Sequence, residues 1–391
     1  MIQRIDLFLP PHNKNPILHA FTQQLAAALT RQGVSCRLLE SQFHNPQPFL
    51  EKLFEDRPDC TLSFNGLLPD DQGRFFCDLV EIPHVACLVD SPNGFLPLIH
   101  SRRTFICCSD QSAVDFFKGV GATQLLFLPH ATGGQNRGDP ESDRPCDLLF
   151  LGSYIDAEQL RNNWSERYPE VVEELLIQAA DLLLRSEMSM VEALAQVMDK
   201  LVAEGQPLDM AVLHYPQLLE ELEGYLCGKE RLALIKAFHK CKITLYTPEE
   251  DLPLWRKALG EAPNVEYQVA DPFADAMSLL QQAKIVLNSS PHIRRGGHER
   301  IYNAMEAGAL VVTGYNPYLG TQFHDGKELL FYRYQELDQL EARVEQLLKE
   351  PSKRCAIAQA GQKLVLERDT WDQRAVVLLA QLHHWLKQEA D

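Results

Sequence analysis

The sequence predicts an α/β protein with two Rossmann-like, doubly wound domains, the second interrupted by a helical insertion. Three observations carry this. Apolar runs of strand length alternate with amphipathic helical segments at both ends of the chain. A stretch rich in Gly, Pro and charge, TGGQNRGDPESDR, separates the two series. The 391 residues exceed one α/β domain and suit two of roughly 150–200 each.

The first series starts with RIDLFLP (Arg4–Pro10), a strand, and the turn-rich PHNKNP. A helix follows, with Ile17, Leu18, Phe21, Leu25, Ala28 and Leu29 at helical spacing and Gly33 at its end. VSCRLLE, CTLSFNG, HVACLVD, TFICCSD and QLLFLPH read as further strands, with FLEKLFED a short helix. Strands separated by helices imply a parallel sheet with right-handed crossovers, and this domain is expected over 1–135.

CDLLFLGS restarts the pattern, and the second domain is expected over 145–370. From about 156 to 240 the reading is helical: VVEELLIQAADLLLR and MSMVEALAQVMDKLV carry apolar stripes suited to a core. KITLYTP, VEYQVA and KIVLNSS resume the strands, with PFADAMSLLQQA a helix between them. LVVTG and LLFYR follow, then the helices QLEARVEQLLKE and DQRAVVLLAQLHHWLKQ. The last, over 371–391, is expected to cross back to the first domain.

Composition narrows the partners. Acidic residues outnumber basic ones 54 to 37, a net charge of −17, which argues against nucleic acid. Ten cysteines lie mostly in apolar runs without any CxxC, as free thiols in a reducing cytoplasm do. The apolar run before Pro10-Pro11 is too short for a signal peptide, and no transmembrane segment is expected. No paired aspartates with metal-ligand character stand out, Asp70-Asp71 sitting in a turn-like setting without a D-x-D form, and no cofactor is expected.

The most informative segment is KIVLNSSPHIRRGGHERIYNAMEAGALVVTGYNP (284–317). A strand ending at Asn288-Ser289-Ser290 leads into a loop with Arg294, Arg295, Gly296 and Gly297, then a helix from His298. Glycines and a helix N-terminus suit a diphosphate, and arginines add charge-assisted bonds to it. Glu299, Asn303 and Glu306 fall on the helix face opposite Ile301, Ala304, Met305 and Gly308. An acceptor one turn into this helix suits ribose hydroxyls. A plain strand-to-helix turn with solvated arginines is the competing reading.

HERIYNAMEAGALVVTGYNP resembles the C-terminal module of GT-B glycosyltransferases related to the group 1 (GT4-like) family and to CgeB-like proteins. The resemblance is strongest over Lys284–Tyr318. It implies two domains facing a cleft, a nucleotide-sugar donor as substrate, no metal, and retention of anomeric configuration. His298, and Tyr315 after the next strand, would then stand near phosphate or sugar. The acceptor, a glycan, protein or lipid-linked sugar, would sit on the first domain. The sequence departs from the E-x7-E pattern of group 1 enzymes: Asn303 replaces the second glutamate and Arg295 the first. Glu299 is the nearest carboxylate left for catalysis.

In the first domain Asp90 follows an apolar run within DSPNG, placed to act as base or hydroxyl clamp, or to hold an Asx turn. His12 follows the first strand and His130 ends the last; both are candidates at the cleft. Two rival readings remain at this stage. One is a GT-B-fold nucleotide-sugar epimerase. The other is a non-catalytic nucleotide-sugar binder or scaffold, with the helical insertion docking a partner.

Overall fold

The computed structural model describes residues 2–10, 16–40, 47–206, 213–270 and 276–388. The chain divides into two compact units, 1–134 with 367–391, and 135–366.

The first unit runs β1 (Arg4–Leu9), α1 (Pro16–Arg31), β2 (Ser35–Glu40), α2 (Gln47–Glu55), β3 (Cys60–Phe64), α3 (Phe76–Val80), β4 (His84–Leu88), β5 (Thr104–Cys108), α4 (Gln111–Gly119) and β6 (Leu125–Phe127). The strands form one parallel sheet in the order β2-β1-β3-β4-β5-β6. Every residue of β3, β4 and β5 is buried, as in a parallel sheet covered on both faces.

Two polar groups are built into this core. Asp6 is fully buried and takes Arg37 Nε at 3.1 Å and Nη2 at 2.5 Å. His84, also fully buried, lies between the hydroxyls of Thr61 (2.8 Å) and Ser63 (2.9 Å) and stacks on Phe8. Thr61 and Ser63 reach the same ring because alternate strand residues share a face. Burial lowers the His84 pKa to about 3, so the ring is neutral.

The second unit starts with β7 (Cys146–Leu151), then the helices α5 (Ala157–Arg167), α6 (Glu170–Arg185), α7 (Met190–Ala203) and α8 (Tyr215–Lys236). It continues with β8 (Ile243–Thr247), α9 (Leu252–Leu259), β9 (Val265–Val269), α10 (Ala276–Gln282), β10 (Ala283–Asn288), α11 (Glu299–Glu306), β11 (Leu310–Gly314), α12 (Pro317–Gln322) and β12 (Leu330–Tyr332). It closes with α13 (Leu340–Lys349) and most of α14 (Pro351–Arg368). Its parallel sheet has the order β12-β11-β10-β7-β8-β9.

That order is a doubly wound one: the chain moves outward from β7 to β9, returns to the centre at β10 and winds the other way. The switch point lies between β7 and β10, where open α/β sheets bind ligands beyond the strand ends. The insertion has a core of its own, with Trp164, Leu175, Leu176, Ala179, Leu194, Leu201 and Leu222 buried together.

The last helix, α15 (Trp371–Gln388), belongs to the first unit. Its Trp371, Leu378, Leu382 and Trp385 are buried with Phe21, Leu25 and Leu29 of α1. Trp371 Nε1 donates to Gln24 Oε1 at 2.8 Å, and the Ile2 amide donates to His383 at 2.9 Å.

The stretch that separates the two series is partly docked. Gly138 N donates to Glu306 O, and a Cβ on Gly138 would stand 2.0 Å from Ala307 O. Arg144, 3% exposed, donates to Ala283 O and Ala307 O. Glu306 was expected on the outer helix face. It is fully buried instead, because its Oε1 accepts the Asn136 amide of this docked segment.

Candidate functional site

The carboxyl ends of β7 and β10 carry two arginines, one on each side of the switch point. Arg231, near the end of α8, donates to Ser153 O just after β7, at 3.1 Å. Arg300, in the first turn of α11, reaches back to Asn288 Oδ1 at the end of β10, at 3.3 Å. Helical side chains lean toward the helix N-terminus, which is what aims Arg300 at the strand end. Asn288 is held by Thr313 Oγ1 and Ser290 Oγ, which accept from its amide. Neither arginine forms an ion pair among the described residues. Burial lowers the Arg300 pKa, Glu299 opposes this, and the charge of Arg231 adds to the lowering. Two neighbouring like charges, one desolvated, make a site that an anion would relieve.

Beside them stands Glu230, 8% exposed, its Oε1 accepting from Ser289 Oγ at 2.9 Å and Tyr332 Oη at 2.8 Å. Burial holds its carboxyl above the ordinary glutamate pKa, against the opposing effect of both hydroxyls.

The glycine-rich loop is assembled differently from its sequence reading. Arg294 is turned into the insertion: Nε donates to Met188 O (2.8 Å), Nη1 to Pro291 O (3.2 Å), and Nη2 to Ser186 O (2.5 Å) and Leu183 O (3.2 Å). Arg295 pairs with Glu192 at 2.8 Å. Gly296 O accepts from Asn316 Nδ2, and Asn316 also N-caps α12. Gly297 is required by packing, since a Cβ there would stand 2.3 Å from Tyr302 Oη.

His298 stands at the N-cap position of α11, its Nδ1 lying 3.2 Å from Arg300 N and 2.7 Å from Glu299 Oε2. One nitrogen cannot accept the first bond and donate the second; the shorter distance favours Nδ1–H on Glu299. Asn303 is half-buried on the same helix. Tyr315 is half-buried with Arg333 over its ring at 4.0 Å. So His298, Glu299 and Arg300 are brought together at the switch point, whereas Arg294 and Arg295 are held by the insertion.

In the first unit, Asp90 is exposed after β4 and accepts from Asn65 Nδ2 at 2.5 Å. Asn65 ends β3 at φ 59° and, with Gly66 at φ 66°, forms a left-handed pair. A Cβ at Gly66 would stand 2.8 Å from Ala86 Cβ, so only glycine fits. His130, expected at the cleft, is 4% exposed and lies against Phe21. His12 lies outside the described residues. Sequence reasoning missed Arg231, Glu230 and Arg300; a Lys-Glu-Arg run (229–231) inside an otherwise apolar helix end was the available signal.

Among the described residues no group of three or more His, Cys, Asp or Glu could hold a metal ion. No helix among them is long and apolar enough to cross a membrane.

Comparison with known proteins bears on this arrangement. Residues 229–380 match a family model described as glycosyl transferase-like, a span that includes Glu230, Arg231 and the whole of β10–α11–β11. A search of curated protein sequences finds no match. Among solved structures, HepE from Anabaena, in complex with UDP and glucose, is 11% identical, covering 98% of this chain and 100% of its own, with a TM-score of 0.56. Sucrose-phosphate synthase from Thermosynechococcus elongatus is 10% identical over 99% of this chain and 100% of its own, TM-score 0.57. AviGT4, a glycosyltransferase of avilamycin A biosynthesis, is 13% identical over 99% and 98%, TM-score 0.54. With two parallel six-stranded sheets, this chain has the GT-B fold of these solved structures, and its residues 229–380 match the glycosyl transferase-like model.

Proposed function

We propose that the chain is a glycosyltransferase that moves a hexosyl or related sugar from a nucleotide-sugar donor to an acceptor hydroxyl, without a metal. The observation that supports this most is the pair Arg231 and Arg300 flanking the switch point, neither of them in an ion pair among the described residues. These two take the diphosphate role that the sequence suggested for Arg294 and Arg295. Negative charge grows on the diphosphate as the glycosidic bond breaks, and fixed cations stabilise it most at that moment. The positive N-terminus of α11 adds to them. UDP-glucose and UDP, held by the HepE structures, are the first donor and product to try here.

The remaining assignments extend this reading. Glu299, held by His298, faces the sugar, and Asn303 meets the ribose. Asp90, oriented by Asn65, serves the acceptor hydroxyl on the first unit. The product keeps the donor's anomeric configuration.

A thermal-shift and calorimetric screen with UDP, GDP and their sugars tests the core of this. Specific binding at a hundredfold excess over Kd stabilises by about 2.7 kcal/mol, and Arg231→Ala and Arg300→Ala should each lose most of it. If no nucleotide binds, or both variants bind as well as the wild type, the donor assignment is wrong. The replacement of both E-x7-E positions by Arg295 and Asn303 favours a second reading, a nucleotide-sugar binder that does not turn over. Release of UDP from UDP-glucose by the wild type separates the two.

A further inference from the structure

A pocket of about 70 Å³ opens between the turn joining α6 to α7 and the outer ends of β11 and β12. Glu230, Gly314 and Tyr332 line it on the sheet side, Ser186 on the insertion side, and Tyr315 and Arg333 beside them. It adjoins the arginine pair, because Glu230 bonds Ser289 and the preceding residue, Asn288, holds Arg300.

The groups around this space have acceptors and donors to spare but little net charge. Both hydroxyl bonds to Glu230 fall on Oε1; Oε2 has no hydrogen-bond partner among the described residues. Ser186 Oγ is buried and also without a partner. Arg333 is ion-paired with Glu187 and lies flat on the Tyr315 ring, so its charge is answered. Arg294 gives its hydrogen bonds to backbone carbonyls, and its charge is opposed by Glu230, whose ionised form it favours. The exposed Arg185 is the remaining charge at the rim. A carboxylate oxygen and a hydroxyl seeking partners, next to phenol rings, suit a neutral ligand with several hydroxyl groups. Gly314 keeps the space open: a Cβ there would stand 3.6 Å from the Tyr332 ring and 3.7 Å from Glu230 Oε1.

We propose that this pocket binds a sugar ring through its hydroxyls, Glu230 accepting and Ser186 completing the set, so that the insertion takes part in choosing the carbohydrate. The inference rests on the glycosyl-transfer reading for the class of ligand. Two sources share this chemistry, the glycosyl group of the donor and a sugar of the acceptor.

The test measures affinities of the full chain and of Glu230→Gln, Ser186→Ala and Gly314→Val. The probes are UDP, UDP-glucose, UDP-galactose, GDP, GDP-mannose, and the free methyl glycosides of the same three sugars. Gly314→Val keeps the test decisive if Glu230→Gln folds poorly, because its first added atom makes only ordinary contacts. The expected result is at least a fivefold loss for one class of probe, with affinity for the free nucleotide unchanged within twofold. Loss confined to the nucleotide sugars identifies the donor's glycosyl group; loss confined to the free glycosides identifies an acceptor sugar. If every variant binds both classes as the wild type does, or no sugar adds to binding in the wild type, the pocket assignment is overturned while nucleotide binding stands. Should the wild type bind no nucleotide, the donor reading fails separately and the free glycosides alone decide the pocket.

Discussion

Arg295 donates to both carboxylate oxygens of Glu192, at 2.8 and 3.0 Å, and Glu192 also closes the capping box that starts α7. The loop arginine nearest the expected diphosphate therefore serves the insertion. Because the pair is partly exposed, Arg295→Ala should cost only about 0.2–1 kcal/mol in stability and leave UDP affinity within twofold. Arg300→Ala should do the reverse. Loss of a charge-assisted bond, about 1.5–3 kcal/mol, weakens UDP roughly tenfold to a hundredfold, while the melting temperature of the free protein holds or rises. Calorimetry and thermal melts on the two variants check the contrast, and equal effects on UDP would sink it.

Arg294 holds the α6–α7 turn through three carbonyls and its own loop through a fourth. Arg294→Ala leaves those carbonyls without their donor, at a cost of about 2–3 kcal/mol. Limited proteolysis should then cut the variant between 183 and 190 faster than the wild type. A digestion pattern identical to wild type would mean that the turn is held by other means.

His84 makes stability fall in acid. Its pKa is lowered to about 3 in the folded chain, against about 6.5 when unfolded. Below pH 6.5 the unfolded chain binds a proton that the folded one refuses. Its contribution is therefore full above pH 6.5 and is lost as pH falls toward 3, with a limiting slope of about 1.4 kcal/mol per pH unit. His84→Gln should flatten the slope of unfolding free energy between pH 6.5 and 4.5, measured in urea. A slope unaltered by the substitution would assign the acid sensitivity elsewhere.

Trp385 is 1% exposed and meets Phe105 at 5.2 Å between ring centroids. Trp385→Ala should cost about 3–5 kcal/mol, and truncation before Trp371 should expose the α1 face and unfold the first unit. Circular dichroism and dye binding to exposed apolar surface would register both; a truncated chain that melts like the intact one contradicts this packing.

Much of the fold was legible because its signals are local. The strand runs, the helical stripes of 170–203 and the Gly-rich break at 131–144 each depend on one short, continuous stretch of chain. What escaped is set by long-range contact. Arg231 and Arg300 are separated by a helix end, three strands, two helices and a loop, and meet only because β7 and β10 are neighbours across the switch point. The partners of Arg294 and Arg295 in the insertion lie more than a hundred residues earlier. The glycine pair suggested close approach of a diphosphate, whereas the group that stands against Gly297 is the Tyr302 hydroxyl. His130 looked like a loop residue because nothing next to it in sequence reveals Phe21.

Residues 367–391 complete a unit whose other part is 1–134. On the ribosome, the first sheet is made early, yet the helix that covers α1 emerges more than 230 residues later. Until then Phe21, Leu25 and Leu29 lack their cover. Residues 135–366, continuous in sequence, have all their own strands before that helix exists. Synthesis order and completion order are thus inverted, and a nascent chain stalled before Trp371 is a substrate for chaperones through its first half.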